Sequence, residues 1–401
     1  MKVRLLAALA AALLLAPDVR AQSNVLLDLE AGTPSADRFR VDSSGAFVAY
    51  GFVRDVGNTT GCAAQIPATG AGTRFFWHPC RGSLRFGRVP TAQANWDDAN
   101  MDDFTFAGGN QVTASGYGAF SFGDQVNVSS TVGVGFGSAV TVSGTAGFSA
   151  GASNVCSGFA CTAIGYTVRA GGQGSVALGY RATANNDNSV TIGYRGSNNG
   201  RIGSIVLAGV VNPVSQTDSV RAQADGEFRV RAPGGVALRS SFASNSAAGV
   251  GGNTGCDLAA GSGTWVCSSS RTVKSDFEDI AGSDVLIRLR SLPITTWRYT
   301  GEGTDIRHGA DVAEDWHQAF GLDGAGHAIA MQDLSGVALA ASQELDRVTM
   351  DLQSQVQTLQ QQLAGKTSEV EVLRSEVAAK ARLLSEMEAR LRALEVPPAT
   401  R

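Results

Sequence analysis

Glycine recurs at Gly123, Gly137, Gly151, Gly165, Gly179 and Gly193, a six-fold register with a period of 14 residues. Residues 175–194, SVALGYRATANNDNSVTIGY, hold two neighbouring copies of the underlying phrase. Just before each Gly stands a mostly apolar residue: Phe122, Phe136, Ala150, Ile164, Leu178 and Ile192. Two positions earlier stands another such set: Phe120, Val134, Phe148, Thr162, Val176 and Val190. Side chains two apart on a strand share a face, and the Gly then lets the backbone turn sharply. Half a period away come small or turn-forming residues: Gly116, Ser130, Gly144, Gly158, Gly172 and Asn186. One such coil cannot bury its apolar face alone, whereas six or more stacked coils make a continuous core. The register predicts a parallel β-solenoid with two short strands per coil. It argues against a flexible Gly-rich linker, which needs no register.

The 401 residues allow two or three domains. With 17% charged residues and a net charge of −4, no basic field exists to attract nucleic acid. The Gly-rich stretches contain no Gly-Lys-Ser/Thr, so no P-loop is expected, and no Gly-x-Ser-x-Gly elbow sits beside a suitable strand and helix. The four histidines are scattered and no Cys-x-x-Cys occurs, so neither a metal nor a cofactor is expected. Lys2 and Arg4, the apolar run 5–16 and Val19-Arg20-Ala21 predict a secretory signal over residues 1–21. No later stretch is long enough to cross a membrane as a helix. Export gives the six cysteines meaning: proximity predicts the pairs Cys62/Cys80, Cys156/Cys161 and Cys256/Cys267.

The SVALG and NSVTIG phrases, over residues 104–201, resemble the head of YadA-type trimeric autotransporter adhesins. That resemblance implies left-handed parallel β-rolls from three chains packed side by side, hence a homotrimer. It also implies a host-surface or polysaccharide ligand. Residues 70–89 and 95–100 resemble the lead-in of bacterial head proteins. They are read as part of a cap, 22–103, protecting the first coil's edge. After Arg201 the period stops. Residues 219–238 alternate around Asp225-Gly226, which predicts a hairpin in a short β neck. The small-residue stretch 243–263 predicts a linker closed by Cys256 and Cys267, so neck and linker cover 202–267.

Residues 265–280, WVCSSSRTVKSDFEDI, carry Lys274, the one lysine between the signal and the C-terminal helix. A lysine can lose its proton and act as a base; an arginine effectively cannot. The stretch resembles the Ser-Asp-x-x-x-Lys signature of the intramolecular chaperone domain of phage tailspikes and endosialidases, grouped as serine peptidase family 74. The resemblance implies a cut between Ser268 and Ser269, with Ser269 as nucleophile and Lys274 as base. Residues 292–299, 307–322 and 334–345 resemble the body of the bacterial form, which places this domain at 268–344. Two positions depart from the pattern. Ser270 stands where the family has Asp, and His308-Gly309-Ala310 replaces His-Ile-Gly or His-Leu-Gly. Two outcomes stay open: a single-turnover Ser/Lys endopeptidase acting on its own chain, and a folded but uncut chaperone. A free lysine titrates near ~10.4, so a base working near ~7 needs roughly 4 kcal/mol of environmental pressure. A site that closes only on assembly could supply it.

From Leu345 to Leu394 a heptad holds without a break. Its d positions are Leu345, Leu352, Leu359, Lys366, Leu373, Lys380, Met387 and Leu394, and its a positions run from Thr349 through Val356, Leu363, Val370, Val377 and Leu384 to Leu391. This predicts a coiled coil, 345–396, ended by Pro397-Pro398. β-Branched a residues with Leu at d lean toward dimers, while both resemblances imply a trimer, the reading adopted. No ten-residue alternating membrane strands occur, so the mature chain is expected outside the cell or at its surface without membrane insertion. A polysaccharide-binding or polysaccharide-degrading tail fibre is the remaining alternative. Its paired carboxylates, Asp97/Asp98 and Asp102/Asp103, read as solvated turn residues. The expected architecture is mainly β: a solenoid head and β neck, a small α+β domain and a coiled-coil helix.

Overall fold

The computed structural model describes residues 2–3, 25–31, 36–49, 66, 68–211, 219–241, 247–250, 252–322 and 326–394. Most of the predicted signal segment lies outside the described residues. The chain divides into two compact units, Met1–Val273 and Lys274–Arg401.

In the first unit, strands Lys2–Val3, Val25–Ala31, Ala36–Asp42 and Phe47–Ala49 form one antiparallel sheet. The solenoid opens with an antiparallel hairpin, Gly72–His78 and Ser83–Val89. The 3₁₀ turn between its strands, Pro79–Arg81, buries Cys80, which is disulfide-bonded. The partner predicted for Cys80 is Cys62, which lies outside the described residues. The Cys62/Cys80 pair is therefore not among the disulfides seen between described residues, which are Cys156–Cys161 and Cys256–Cys267.

The second hairpin strand pairs in parallel with Phe106–Asn110, so the edge of the first coil is covered. Trp96 is fully buried, and its indole N–H donates to the Val112 carbonyl at 2.9 Å, pinning the loop around 90–100 to the coil. Arg85 is also fully buried, in register with Ala107. Its guanidinium donates to the carbonyls of Leu84, Thr105 and Ala114 and to the Thr105 hydroxyl. Burial, with help from Arg81, pushes its pKa down to about 10. It still carries its charge at neutral pH and satisfies carbonyls at the end of the roll.

Seven strands from Phe106–Asn110 to Val190–Tyr194 then pair in parallel at the 14-residue spacing. Two-residue strands from Thr113–Ala114 to Gly196–Ser197 build the second parallel sheet. The expected core face is reversed in phase. The residue between each apolar pair points inward: Ser121, Ser149, Ala163, Ala177 and Thr191 are fully buried. The flanking residues face outward, with Phe122 43% and Ile164 38% exposed. A 14-residue coil encloses a narrow interior, and Ala and Ser, facing Val112, Val126, Val140 and Val168 of the other arm, fill it. Phenylalanine rings do not fit such a space. Because strand side chains alternate, putting the small residue inside puts both large neighbours outside.

The Gly register has a steric cause. Gly179 sits at φ +119, and a Cβ there would collide with the carbonyl oxygen of Gly193 on the next coil. Each coil also turns at left-handed positions held by other residues: one column runs from Gln111 to Arg195, another includes Val132, Ala146 and Asn188. One polar side chain is built into the interior. Asn154, fully buried, donates to the carbonyls of Ala150 and Gly165 and accepts from the Val168 N–H. The Cys156–Cys161 disulfide lies in the same core.

The solenoid does not stop at Arg201. Ile205–Ala208 pairs in parallel with the preceding coil, and Phe228–Arg231 pairs in parallel with Ile205–Ala208. Val220–Arg221 joins the short-strand sheet. The predicted hairpin at Asp225-Gly226 is therefore a solenoid corner. Its turn is tied back to the previous coil: Asp225 accepts from the Ile202 N–H, and the Gly226 N–H donates to the Ile202 carbonyl. The predicted linker is likewise partly structured. Gly235–Arg239, Gly255–Ala259 and Trp265–Cys267 form an antiparallel sheet in which Cys256 faces Cys267 and is disulfide-bonded to it.

The second unit packs helices α1 (Gly282–Ser291) and α2 (Ala313–Phe320) against the start of α3 (Met331–Leu394), beside the strand pair Thr295–Trp297 and His308–Ala310. Val285, Leu292, Trp316, Val337 and Ala341 make its core. Helix α3 thus begins before the heptad does, and its first turns belong to the α+β body. The chain is mainly β, with a parallel β-solenoid, a small α+β region and a long C-terminal helix.

Candidate interaction faces and the Ser269/Lys274 segment

Parallel coils in strict register place like residues above one another about 4.8 Å apart. On the outer face of the long-strand sheet this builds an apolar strip. Phe106 stacks on Phe120 with ring centroids 4.4 Å apart, and Phe120, Phe136 and Phe148 follow at 5.1 and 6.3 Å. Toward the other end the strip becomes aliphatic, with Val176, Leu178, Val190 and Ile192. Beside it Tyr166, Tyr180 and Tyr194 stack at 5.4 and 5.0 Å, with the Arg181 guanidinium over Tyr180. A contiguous exposed apolar strip marks an interaction surface. The outer face of the short-strand sheet is different over its first three rungs: Thr113, Ser115, Asn127, Ser129, Thr141 and Ser143 present hydroxyls and amides there, before Val155 and Arg169 follow in the same column. The alternation in the sequence shows that one strand face is apolar. The signal for which way it points is the 14-residue column of small residues between the apolar pairs.

At the end of the first unit, Ser268 is held by the strand pairing. Its N–H donates to the Gly255 carbonyl at 2.8 Å, and its hydroxyl accepts from the Gly255 N–H. Ser269 is exposed. Ser270, at the position of the family aspartate, has its hydroxyl 2.9 Å from that of Thr272 and accepts from the Thr272 N–H, at the start of the 3₁₀ turn Arg271–Val273. Lys274, exposed, is the first residue of the second unit.

The aspartates have structural partners. Asp97 accepts from the Gly70 N–H, and Asp98 pairs with Arg81 at 2.8 Å. Asp103 is buried beside Arg81 at 3.6 Å, contrary to the expectation of a solvated turn. Among the described residues no group of His, Cys, Asp or Glu could hold a metal ion, and no helix is long and apolar enough to cross a membrane.

Residues 170–195 match the YadA head domain repeat in two copies. No curated protein matches the chain. Repeat and solenoid together support a β-roll head like that of trimeric autotransporters, and with it an adhesin- or fibre-like structural protein.

Proposed function

We propose that the chain is an exported homotrimeric fibre protein whose roll is a surface-contacting head. The observation that carries this reading is the outward apolar strip from Phe106 to Ile192. A lone roll leaves it in water, and three rolls side by side would bury it. The similarity of residues 170–195 to a trimeric-autotransporter head favours three copies over two. In this reading the second unit is the assembly device. Its α+β core and the heptad seam share one continuous helix, so folding the body sets the register of the coiled coil.

The same reading assigns a cut to the Ser268–Ser269 bond. The neutral Lys274 amine takes the Ser269 hydroxyl proton as the oxygen attacks the Ser268 carbonyl carbon. The C–N bond breaks, the proton passes to the leaving Ser269 amine, and an ester forms. Water then hydrolyses the ester, releasing the chaperone with its helix. Cys256 and Cys267 stay on the same fragment, so their disulfide does not tether the pieces. A second reading, an uncut trimer, is favoured by Ser270, whose hydroxyl is engaged in the 3₁₀ turn where the family has a carboxylate.

Native mass spectrometry tests the assembly: a species of three 41.4 kDa chains, or of their processed forms, is expected, and a monomer refutes it. The denatured, reduced mass tests the cut. Two fragments meeting at Ser268/Ser269, replaced by one chain in Lys274→Ala, establish the Ser/Lys pair. One chain in both leaves a permanent trimerising stalk.

A further inference from the structure

We propose that a polar groove between the cap loop and the short-strand sheet binds a neutral oligosaccharide. The groove is shallow and open to solvent, with a volume of about 430 Å³, and its lining includes Gln93, Asn95 and Asn100 of the loop and Thr113, Asn127 and Ser129 of the sheet. Its size is that of a small-molecule site. The wall is pre-formed. Trp96 anchors the loop through the Val112 carbonyl, the Asn95 amide donates to the Thr113 hydroxyl at 2.8 Å, and the Asn100 amide donates to the Ala94 carbonyl at 2.8 Å. A ligand therefore does not bear the cost of ordering that wall.

The chemistry of the lining selects the ligand. No lining side chain ionises. A charged ligand would find no counter-charge on the face that it touches. An apolar ligand would cover amides and hydroxyls without pairing them. A neutral molecule rich in hydroxyls suits both limits, because amides and hydroxyls each donate and accept. Partners remain available: the Asn127 amide and the Ser115 and Ser129 hydroxyls make no hydrogen bond to the described residues. The Gln93 side-chain amide oxygen is buried without a donor, so that side chain gains by turning into the groove. The floor also continues, since Thr141 and Ser143 repeat the pattern one rung further on. A saccharide chain would thus run along the roll axis. The apolar strip is on the other sheet. This inference rests on the reading of the roll as a surface-contacting head and supplies its ligand class.

The test uses the full chain. Cello-, malto- and chito-oligosaccharides are compared with sialylated and sulfated ones by saturation-transfer NMR and calorimetry, on wild type, Asn127→Ala, Asn127→Asp and Asn127→Ala/Ser129→Ala. Asn127 and Ser129 are exposed, so melting should not change. Binding of at least one neutral oligosaccharide is expected, weakened roughly ten-fold by Asn127→Ala and further by the double variant. No neutral binding, a preference for the acidic set, or full binding by the double variant overturns the proposal. A trimer that binds no saccharide sinks this inference alone; a monomer that binds one sinks the assembly reading alone.

Discussion

The roll and helix α3 solve the same problem in opposite ways. Each coil of the roll passes its backbone hydrogen bonds to the next coil and closes an interior built mostly of Val, Ala and Ser within one chain. Helix α3 satisfies its backbone within itself, yet beyond Ala341 its apolar seam is exposed among the described residues: Leu363 is 68% exposed. The roll carries its own core and offers a spare face for association. The helix has only the spare face. Heptad spacing on an exposed seam therefore reads as a demand for other chains.

The largest expected effect attacks that demand. Leu359→Asp with Leu363→Asp removes a d and an a residue, each worth about 2–3 kcal/mol of burial per copy. The native mass should fall to that of a monomer while the roll stays folded. A variant that stays assembled would show that the roll face suffices and would break the comparison. Next, Asn154→Ala removes the acceptor of the Val168 N–H and a donor to two carbonyls inside the roll and should cost about 3 kcal/mol in denaturant unfolding. The helical signal of α3 should not move with it. A smaller change runs the other way. Val132 is β-branched at φ +48 and half-exposed. Val132→Asn should stabilise the roll by about 0.5–1 kcal/mol, read from the same unfolding curve.

The smallest effect belongs to the α+β body. The Glu302 carboxylate accepts the Tyr299 N–H and lies 2.9 Å from His308 Nε2, and these contacts hold it below the ordinary carboxylate range. A depressed folded-state pKa gives stability that is present at neutral pH and lost as pH falls below about 4. Glu302→Gln should flatten that acid limb for the second unit in a pH-dependent melt. An unchanged limb would assign it to other carboxylates.

The solenoid was legible because sterics make its signal periodic: a side chain at Gly179 would strike the next coil, so the spacing is written in glycine. The direction of the strand faces was not legible from apolar alternation, because alternation carries no sign. The sign lay in the volume of Ser149, Ala163 and Ala177. The corner at Asp225-Gly226 misled because an Asp-Gly turn satisfies a hairpin and a solenoid corner equally. The contact that decides, with Ile202, is not a local pattern. The left-handed corners at Val132 and Arg181 left no trace either, since stacking holds there a conformation that composition does not announce. For the groove the residues were in plain view. What joins Gln93 to Asn127 is the docking of Trp96 on the coil, a tertiary event.

The stacking register also sets an exchange rate between sequence and reach. Fourteen residues of roll advance the protein by one rung, about 4.8 Å; fourteen residues of α3 advance it by about 21 Å. The roll is thus a poor spacer and a dense display: each rung presents a fresh set of side chains close beside the last. Within the strict repeat whole rungs of 14 residues can be inserted or removed without disturbing either face, and Gly179 stays in line with Gly193. The last coils are 15 and 23 residues from strand to strand and keep the pairing, so extra residues are absorbed in the connecting loops at the end of the head.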